Sequence, residues 1–213
     1  MATHGPDKSS PEAMLDALAA REDLRLIRSA LGADVELYIV GGTVRDVLLG
    51  IPAKDVDLAT PLLPEAMRQR LESHNIRVVP TGLKHQTVTA VPIVGGANIE
   101  LTTFRGELMS PQGGVSASSS IEEDVLRRDF SINALAYDIG RKAVVDVVDG
   151  RKDLERRVVR AVGAPRDRFG EDPLRVLRMI RFGCATGFSL DPATAEAAKD
   201  FQDGLKRVSI ERV

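Results

Sequence analysis

Up to residue 147 the chain interleaves short strand-like stretches with amphipathic helices, and past residue 163 the strand pattern stops. Glu36 to Val40, Asp55 to Ala59, Arg77 to Val79, Gln86 to Val91, Asn98 to Thr103 and Ala143 to Val147 show the apolar runs or period-two alternation of strands. Between them, Thr43 to Leu49 reads as a helix closed by Gly50 and Pro52, and Pro64 to His74 and Arg151 to Arg157 as further helices. Glu12 to Leu31 has apolar residues at helical spacing before a stop at Gly32. From Ala164 on, the clear elements are helices, Pro173 to Thr186 and Pro192 to Phe201. This order predicts an α+β protein. An N-terminal tail and helix span 1–34, a sheet with flanking helices 35–163, and an all-helical segment 164–213. Pro92 to Ala97 contains Gly95-Gly96 and predicts a hairpin turn. Arg105 to Ser120, with Gly, Pro and a serine-rich tract, reads as a mobile surface loop.

A net charge of −2 excludes a globally basic nucleic-acid binder, while 29 Lys and Arg leave room for a local basic patch. One cysteine, Cys184, rules out an internal disulfide framework and fits a reducing, cytoplasmic setting. Its apolar helical surroundings predict a buried thiol. No apolar run approaches the ~18 residues of a membrane span. Met1 to Pro11 is polar, lacks the apolar core of a signal peptide, and reads as a frayed terminus.

Asp55 and Asp57 are two apart, so on a strand their carboxylates share a face and repel unless a cation sits between them. Mg²⁺ suits such a pair, because it takes few carboxylates and keeps its other positions for water and phosphate oxygens. Alone, Asp-x-Asp is more often a solvated edge-strand face. Here it follows Gly41-Gly42 and a helix carrying Arg45. Glycines leave backbone N–H groups open to an anion, although Arg45 could equally pair with Asp46. A phosphate cradle just before a metal-binding acid pair suits phosphoryl or nucleotidyl transfer. Glu100, alternating with Ile99 and Leu101, joins the acids if its strand lies beside that of Asp55. A third acid completes a two-metal arrangement.

GGTVRDVLLG…KDVDLAT resembles the first motif of class II tRNA nucleotidyltransferases and bacterial poly(A) polymerases, in the polymerase-β-like nucleotidyltransferase superfamily. Further motifs follow in order: RRDFSINALAYD (Arg127 to Asp138), DGRKDL (Asp149 to Leu154), EDPLRVLRMIRF (Glu171 to Phe182) and RVSIERV (Arg207 to Val213). The resemblance implies a catalytic head bearing the metal acids and a helical neck that selects the nucleotide. It implies that Asp55, Asp57 and Glu100 hold two Mg²⁺ ions and that Gly41, Gly42 and Arg45 contact the triphosphate. By the same resemblance Arg128, Asp129 and Asn133 meet the ribose, while Asp172 and Arg175 select the base with Glu171, Arg178 and Arg181 in support.

Asp172 and Arg175 are i and i+3, which on one helix places them on one face. A carboxylate accepts and a guanidinium donates. Cytosine and adenine present an amino donor beside a ring-nitrogen acceptor, whereas uracil and guanine present the reverse order. Such a pair can accept C and A while rejecting U and G, although on spacing alone an i,i+3 surface salt bridge is the more common meaning. TGLKHQTVTAV (Thr81 to Val91) resembles the stretch typical of CCA-adding enzymes, although Gln86 stands where glycine is common. The implied activity is addition of C and A to a tRNA 3′ end from CTP and ATP with release of pyrophosphate. CC-only or A-only addition, poly(A) synthesis and an idle nucleotide- or RNA-binding module stay open. The chain stops inside the fifth motif, so weak tRNA affinity and self-association through exposed apolar surface are expected.

Overall fold

The computed structural model describes residues 10–53, 55–82, 86–91, 98–108, 115–117 and 120–208. The chain divides into two compact units, residues 1–124 with 136–145, and residues 125–135 with 146–213.

The first unit opens on α1 (Pro11–Ala19) and α2 (Glu22–Leu31), where the sequence predicts one helix. The break is local. The Ala20 N–H donates to the Asp16 carbonyl and the Arg21 N–H to the Leu18 carbonyl, and Arg21 turns extended (φ −55°, ψ 144°) while pairing with Asp23. Then come β1 (Tyr38–Val40), α3 (Gly42–Leu48), β2 (Val56–Thr60), α4 (Pro64–Ser73), β3 (Arg77–Gly82), β4 (Thr87–Val91) and β5 (Ile99–Thr103). They are followed by β6 (Arg105–Leu108), β7 (Val115–Ala117), α5 (Ile121–Leu126), which runs into the second unit, and the first unit's closing strands β8 (Ala136–Asp138) and β9 (Ala143–Val145).

A seven-stranded sheet in the order β3-β4-β5-β2-β1-β8-β9 forms its centre. Only β2 and β5 run parallel; the other neighbours are antiparallel. Ile39, Leu58, Leu101 and Val88 are at most 1% exposed and align across the central strands. The two edges of the expected loop at 105–120 are instead paired strands, β6 with β7. Asp124, 1% exposed, accepts the Arg105 N–H at 3.0 Å and fixes where that ribbon begins. Residues 109–114 and 118–119 of that loop, the 92–97 turn and residues 209–213 of the fifth motif lie outside the described residues.

The second unit holds a 3₁₀ turn (Ser131–Asn133), α6 (Gly150–Arg156), β10 (Val158–Val159), α7 (Pro165–Glu171), α8 (Leu174–Thr186), β11 (Ser189–Leu190), α9 (Pro192–Lys199) and a final 3₁₀ segment (Gln202–Arg207). It is not all-helical after residue 163, as the sequence predicts, because β11 pairs parallel with β10. Two-residue strands are too short to show a period, so the pairing leaves no pattern to read. Cys184 is exposed on α8 rather than buried; that helix buries Val176 and Met179. Among the described residues no helix is long and apolar enough to cross a membrane.

Candidate active site

Parallel pairing of β2 with β5 sets Asp57 opposite Glu100. Val56, Leu58, Ile99 and Leu101 are buried on either side while Asp57 and Glu100 are exposed, so both carboxylates leave the same face. Neighbouring strands are about 4.8 Å apart, close enough for one cation to meet both acids. Thr89 extends the row from β4, opposite Glu100. Asp55 is exposed but lies in a bend before β2, not on the strand as the sequence predicts. The sheet therefore orients two of the three acids. Among the described residues no three His, Cys, Asp or Glu side chains draw close enough to hold a metal ion. The available donors are all carboxylate oxygens, which suit a hard divalent cation.

β1 runs straight into the glycine turn. Gly41 has φ +70° and ψ −132°, a conformation closed to side chains with a Cβ, and begins α3. A Cβ on Gly42 would stand 3.4 Å from Arg45 Nη2, so the guanidinium folds back over the turn. Arg45 also pairs with Asp46 at 2.7 Å. Arg45 is thus tied to Asp46 while its guanidinium lies over the turn. With only seven residues, α3 contributes a small helix dipole, and positive charge at the turn comes mainly from Arg45.

Thr43 lies within the first motif without a role of its own there, yet its hydroxyl donates to the Asp55 carbonyl at 3.1 Å and accepts from the Asp57 N–H at 3.4 Å. This buried side chain ties the first turn of α3 to the acid-bearing strand. Its only sequence trace is its place directly after the two glycines.

The second unit gathers the remaining candidates. Asp129, 8% exposed, accepts from Phe130 N and Asn133 Nδ2 on one oxygen. Its other oxygen accepts Arg178 Nε and Nη2 at 2.7 and 2.6 Å. Arg178 thus supports Asp129 directly, a contact absent from sequence reasoning. Arg178 and Arg181 both lie 5.2 Å from the Phe182 ring centroid. Arg128 is half-buried beside Asp129 in sequence.

Asp172 and Arg175 do not share one helix. Asp172 is extended (φ −151°, ψ 101°) where α7 ends, and Pro173, which disfavours a helical residue before it, starts the next turn. Asp172 Oδ1 accepts the Leu174 N–H at 3.1 Å and its carbonyl accepts the Arg175 N–H, so it closes the start of α8. Arg175 Nη1 donates to Glu171 at 2.7 Å and to the Arg168 carbonyl at 3.0 Å, and Nη2 donates to the Arg127 carbonyl at 3.4 Å. Glu171 also holds Arg168 at 2.9 Å. Burial pushes the Arg168 guanidinium below its ordinary range, and its Nε and Nη1 are buried with no hydrogen-bond partner among the described residues.

Residues 37–160 match the family model of the poly A polymerase head domain. A CCA-adding enzyme of Streptococcus suis is 40% identical over 196 residues, covering 90% of this chain and 47% of that protein. The crystal structure of the Bacillus stearothermophilus CCA-adding enzyme in complex with CTP superposes with TM-score 0.79 at 36% identity, over 98% of this chain and 47% of that one. The Thermotoga maritima CCA-adding enzyme complexed with tRNA gives TM-score 0.74 at 28% identity, over 94% and 47%. The chain thus spans about half the length of these relatives. Nucleotidyltransferases of this family use divalent metals, in keeping with the oxygen donors on β2 and β5. The first-motif turn, the in-register acids and the match over more than half of the chain place it in the poly A polymerase head domain family, that of the class II tRNA nucleotidyltransferases.

Proposed function

We propose that this chain carries the catalytic part of an enzyme that adds C and A nucleotides to the 3′ end of tRNA from CTP and ATP. One observation carries the reading: Asp57 and Glu100 meet in register on one exposed face of a sheet whose β1 leads into the Gly41 turn. The relatives' CTP and tRNA complexes support the choice of substrates.

In the reaction, the RNA 3′-hydroxyl gives up its proton to water as its oxygen bonds to the nucleotide's α-phosphorus, the bond from that phosphorus to the oxygen bridging to the β-phosphate breaks, and pyrophosphate leaves. Asp55, Asp57 and Glu100 would hold two Mg²⁺ ions, which when bound supply positive charge for the attacking and leaving oxygens. Gly41, Gly42 and Arg45 receive the triphosphate, with Arg45 exchanging Asp46 for phosphate oxygen. Arg128, Asp129 and Asn133 orient the ribose, and Arg178 fixes Asp129. Asp172 and Arg175 select the base, with Arg175 giving up a backbone acceptor to do so. Glu171 and Arg181 assist. We assign residues 35–163 as the catalytic head and 164–213 as the selecting segment, working in the cytoplasm on a tRNA 3′ end.

Incubation with tRNA lacking its 3′ end, Mg²⁺ and each nucleotide in turn tests this, with sequencing of the product ends. Addition of C and then A supports it. Absence of incorporation sinks it, and A-tracts or CC ends alone would redirect it to poly(A) synthesis or CC addition.

A further inference from the structure

The second unit contains a cavity of about 480 Å³ lined by Asp149, Lys152, Asp153, Arg156, Arg160 and Val148. Its acids are already engaged. Asp153, 5% exposed, accepts from Ser131 Oγ at 2.6 Å and from Arg160 Nε and Nη2 at 2.8 and 2.7 Å. Asp149 accepts Lys152 Nζ at 2.7 Å, and that hydrogen bond holds its carboxyl below the usual carboxylate range. The backbone donors at the start of α6 are engaged too, because Asp146 accepts from Val148, Gly150 and Arg151 N–H at 3.2, 2.9 and 2.9 Å.

What stays open is cationic. Arg156 is exposed and makes no hydrogen bond or close ion pair among the described residues. Arg160 is fixed by Asp153 and the Val148 carbonyl, and its Nη1 has no hydrogen bond among the described residues. Among the described lining residues three cations face two paired carboxylates, a net charge of +1. The lining has no aromatic ring, so a base finds nothing to stack on. A phosphate, by contrast, finds a free guanidinium beside a preset one.

We propose that this cavity binds a phosphate of an RNA backbone, with Arg156 as the contacting residue and Arg160 as the fixed wall. The inference rests on the RNA-substrate reading above. Each phosphate contact on duplex contributes about 0.9 to the slope of log affinity against log salt, or roughly 3.5-fold between 50 and 200 mM.

The test measures binding of tRNA lacking its 3′ end to the chain across that salt range, with CTP and pyrophosphate binding in parallel. Arg156→Ala and Arg156→Glu should weaken RNA binding and lower the slope by about 0.7–0.9, while Arg156→Lys keeps it and CTP affinity is unchanged in all three. Wild-type RNA affinity and slope in Arg156→Ala and Arg156→Glu would overturn the proposal while leaving the RNA-substrate reading intact. Loss of CTP or pyrophosphate binding in their place would make the cavity a site for a free nucleotide or phosphate and likewise overturn it. No RNA binding by the unaltered chain would sink both readings together.

Discussion

Replacing Asp172 by asparagine separates its helix-start contact from the proposed base reading, which alanine removes together. In the structure Oδ1 accepts the Leu174 N–H at 3.1 Å, satisfying one of the donors left open where α8 begins. Losing such a bond costs about 1 kcal/mol, and for a chain of this length that lowers Tm by roughly 2–4 °C. Asparagine keeps an acceptor of the same shape and ranks with aspartate as a cap, so Asp172→Asn should stay within about 0.5 kcal/mol of the parent. Its effect on base choice should be large. A carboxylate only accepts, which turns away the carbonyl oxygens that uracil and guanine present. An amide can also turn its NH₂ toward them. Sites built on hydrogen bonds reject mispaired analogues by up to about 10⁴-fold, and Asp172→Asn should forfeit about 10²-fold or more of that preference. The assay is kcat/KM for each of the four nucleotides on tRNA lacking its terminal residues, alongside thermal unfolding of Asp172→Asn and Asp172→Ala. An asparagine variant with parent stability and the parent ranking of nucleotides would refute base reading by Asp172 and leave it a helix-start residue alone.

Three further outcomes follow from particular contacts. Asp57→Ala should abolish incorporation with circular dichroism unchanged, since the side chain is exposed on the sheet face; retained turnover would remove it from the site. Thr43→Val deletes the hydroxyl joining the Asp55 carbonyl to the Asp57 N–H, and should cost about 1–3 kcal/mol and lower kcat more than it alters CTP affinity, whereas parent stability and kcat would deny the link. Tyr38 and Tyr137, the chain's two tyrosines, are at most 2% exposed, and burial pushes Tyr38 from 10.0 up to about 12 and raises Tyr137 as well. Because the folded state favours the protonated phenols, this stabilisation is whole below pH 10.0 and fades as pH climbs towards about 12; tyrosinate absorbance should appear together with unfolding, and ordinary titration near 10 in a folded protein would contradict it.

The sheet acids were legible because period-two alternation names a face: Asp57 between Val56 and Leu58, and Glu100 between Ile99 and Leu101, are set by buried neighbours. Their register was not legible, since it depends on β2 and β5 running parallel through a connection that spans α4, β3 and β4. Asp55 fell off the strand because alternation does not mark where pairing stops. Ala136–Asp138 escaped notice for a different reason: all three residues are buried, so no alternation betrays a strand. Asp172 looked like a helix residue because i,i+3 spacing ignores the turn that Pro173 imposes. Thr43 acts through one hydroxyl on backbone groups 12 and 14 residues away, a contact that a local pattern cannot announce.

The RRDFSINALAYD run reads as one motif, yet the chain divides inside it. Residues up to Leu135 belong to the second unit, and Ala136–Asp138 completes the sheet of the first. The consequence is a separation of tasks. Gly41, Gly42, Arg45, Asp55, Asp57 and Glu100, the candidates for phosphate and metal, all lie in the first unit, whereas Arg128, Asp129, Asn133, Asp172 and Arg175, the candidates for sugar and base, all lie in the second. Within the second unit these are mechanically joined. The Val162 N–H donates to the Asp129 carbonyl at 3.0 Å and the Ser131 N–H to the Arg160 carbonyl at 2.8 Å, while Arg178 on α8 grips the Asp129 carboxylate with two donors. The segment around Asp129, proposed to face the ribose, therefore cannot shift without pulling on α8, whose start Asp172 closes. On the proposed roles, one connected piece reads sugar and base, so a change at Arg178 should disturb both recognitions at once, whereas a change at Asp57 should stop the chemistry and leave nucleotide choice in binding untouched.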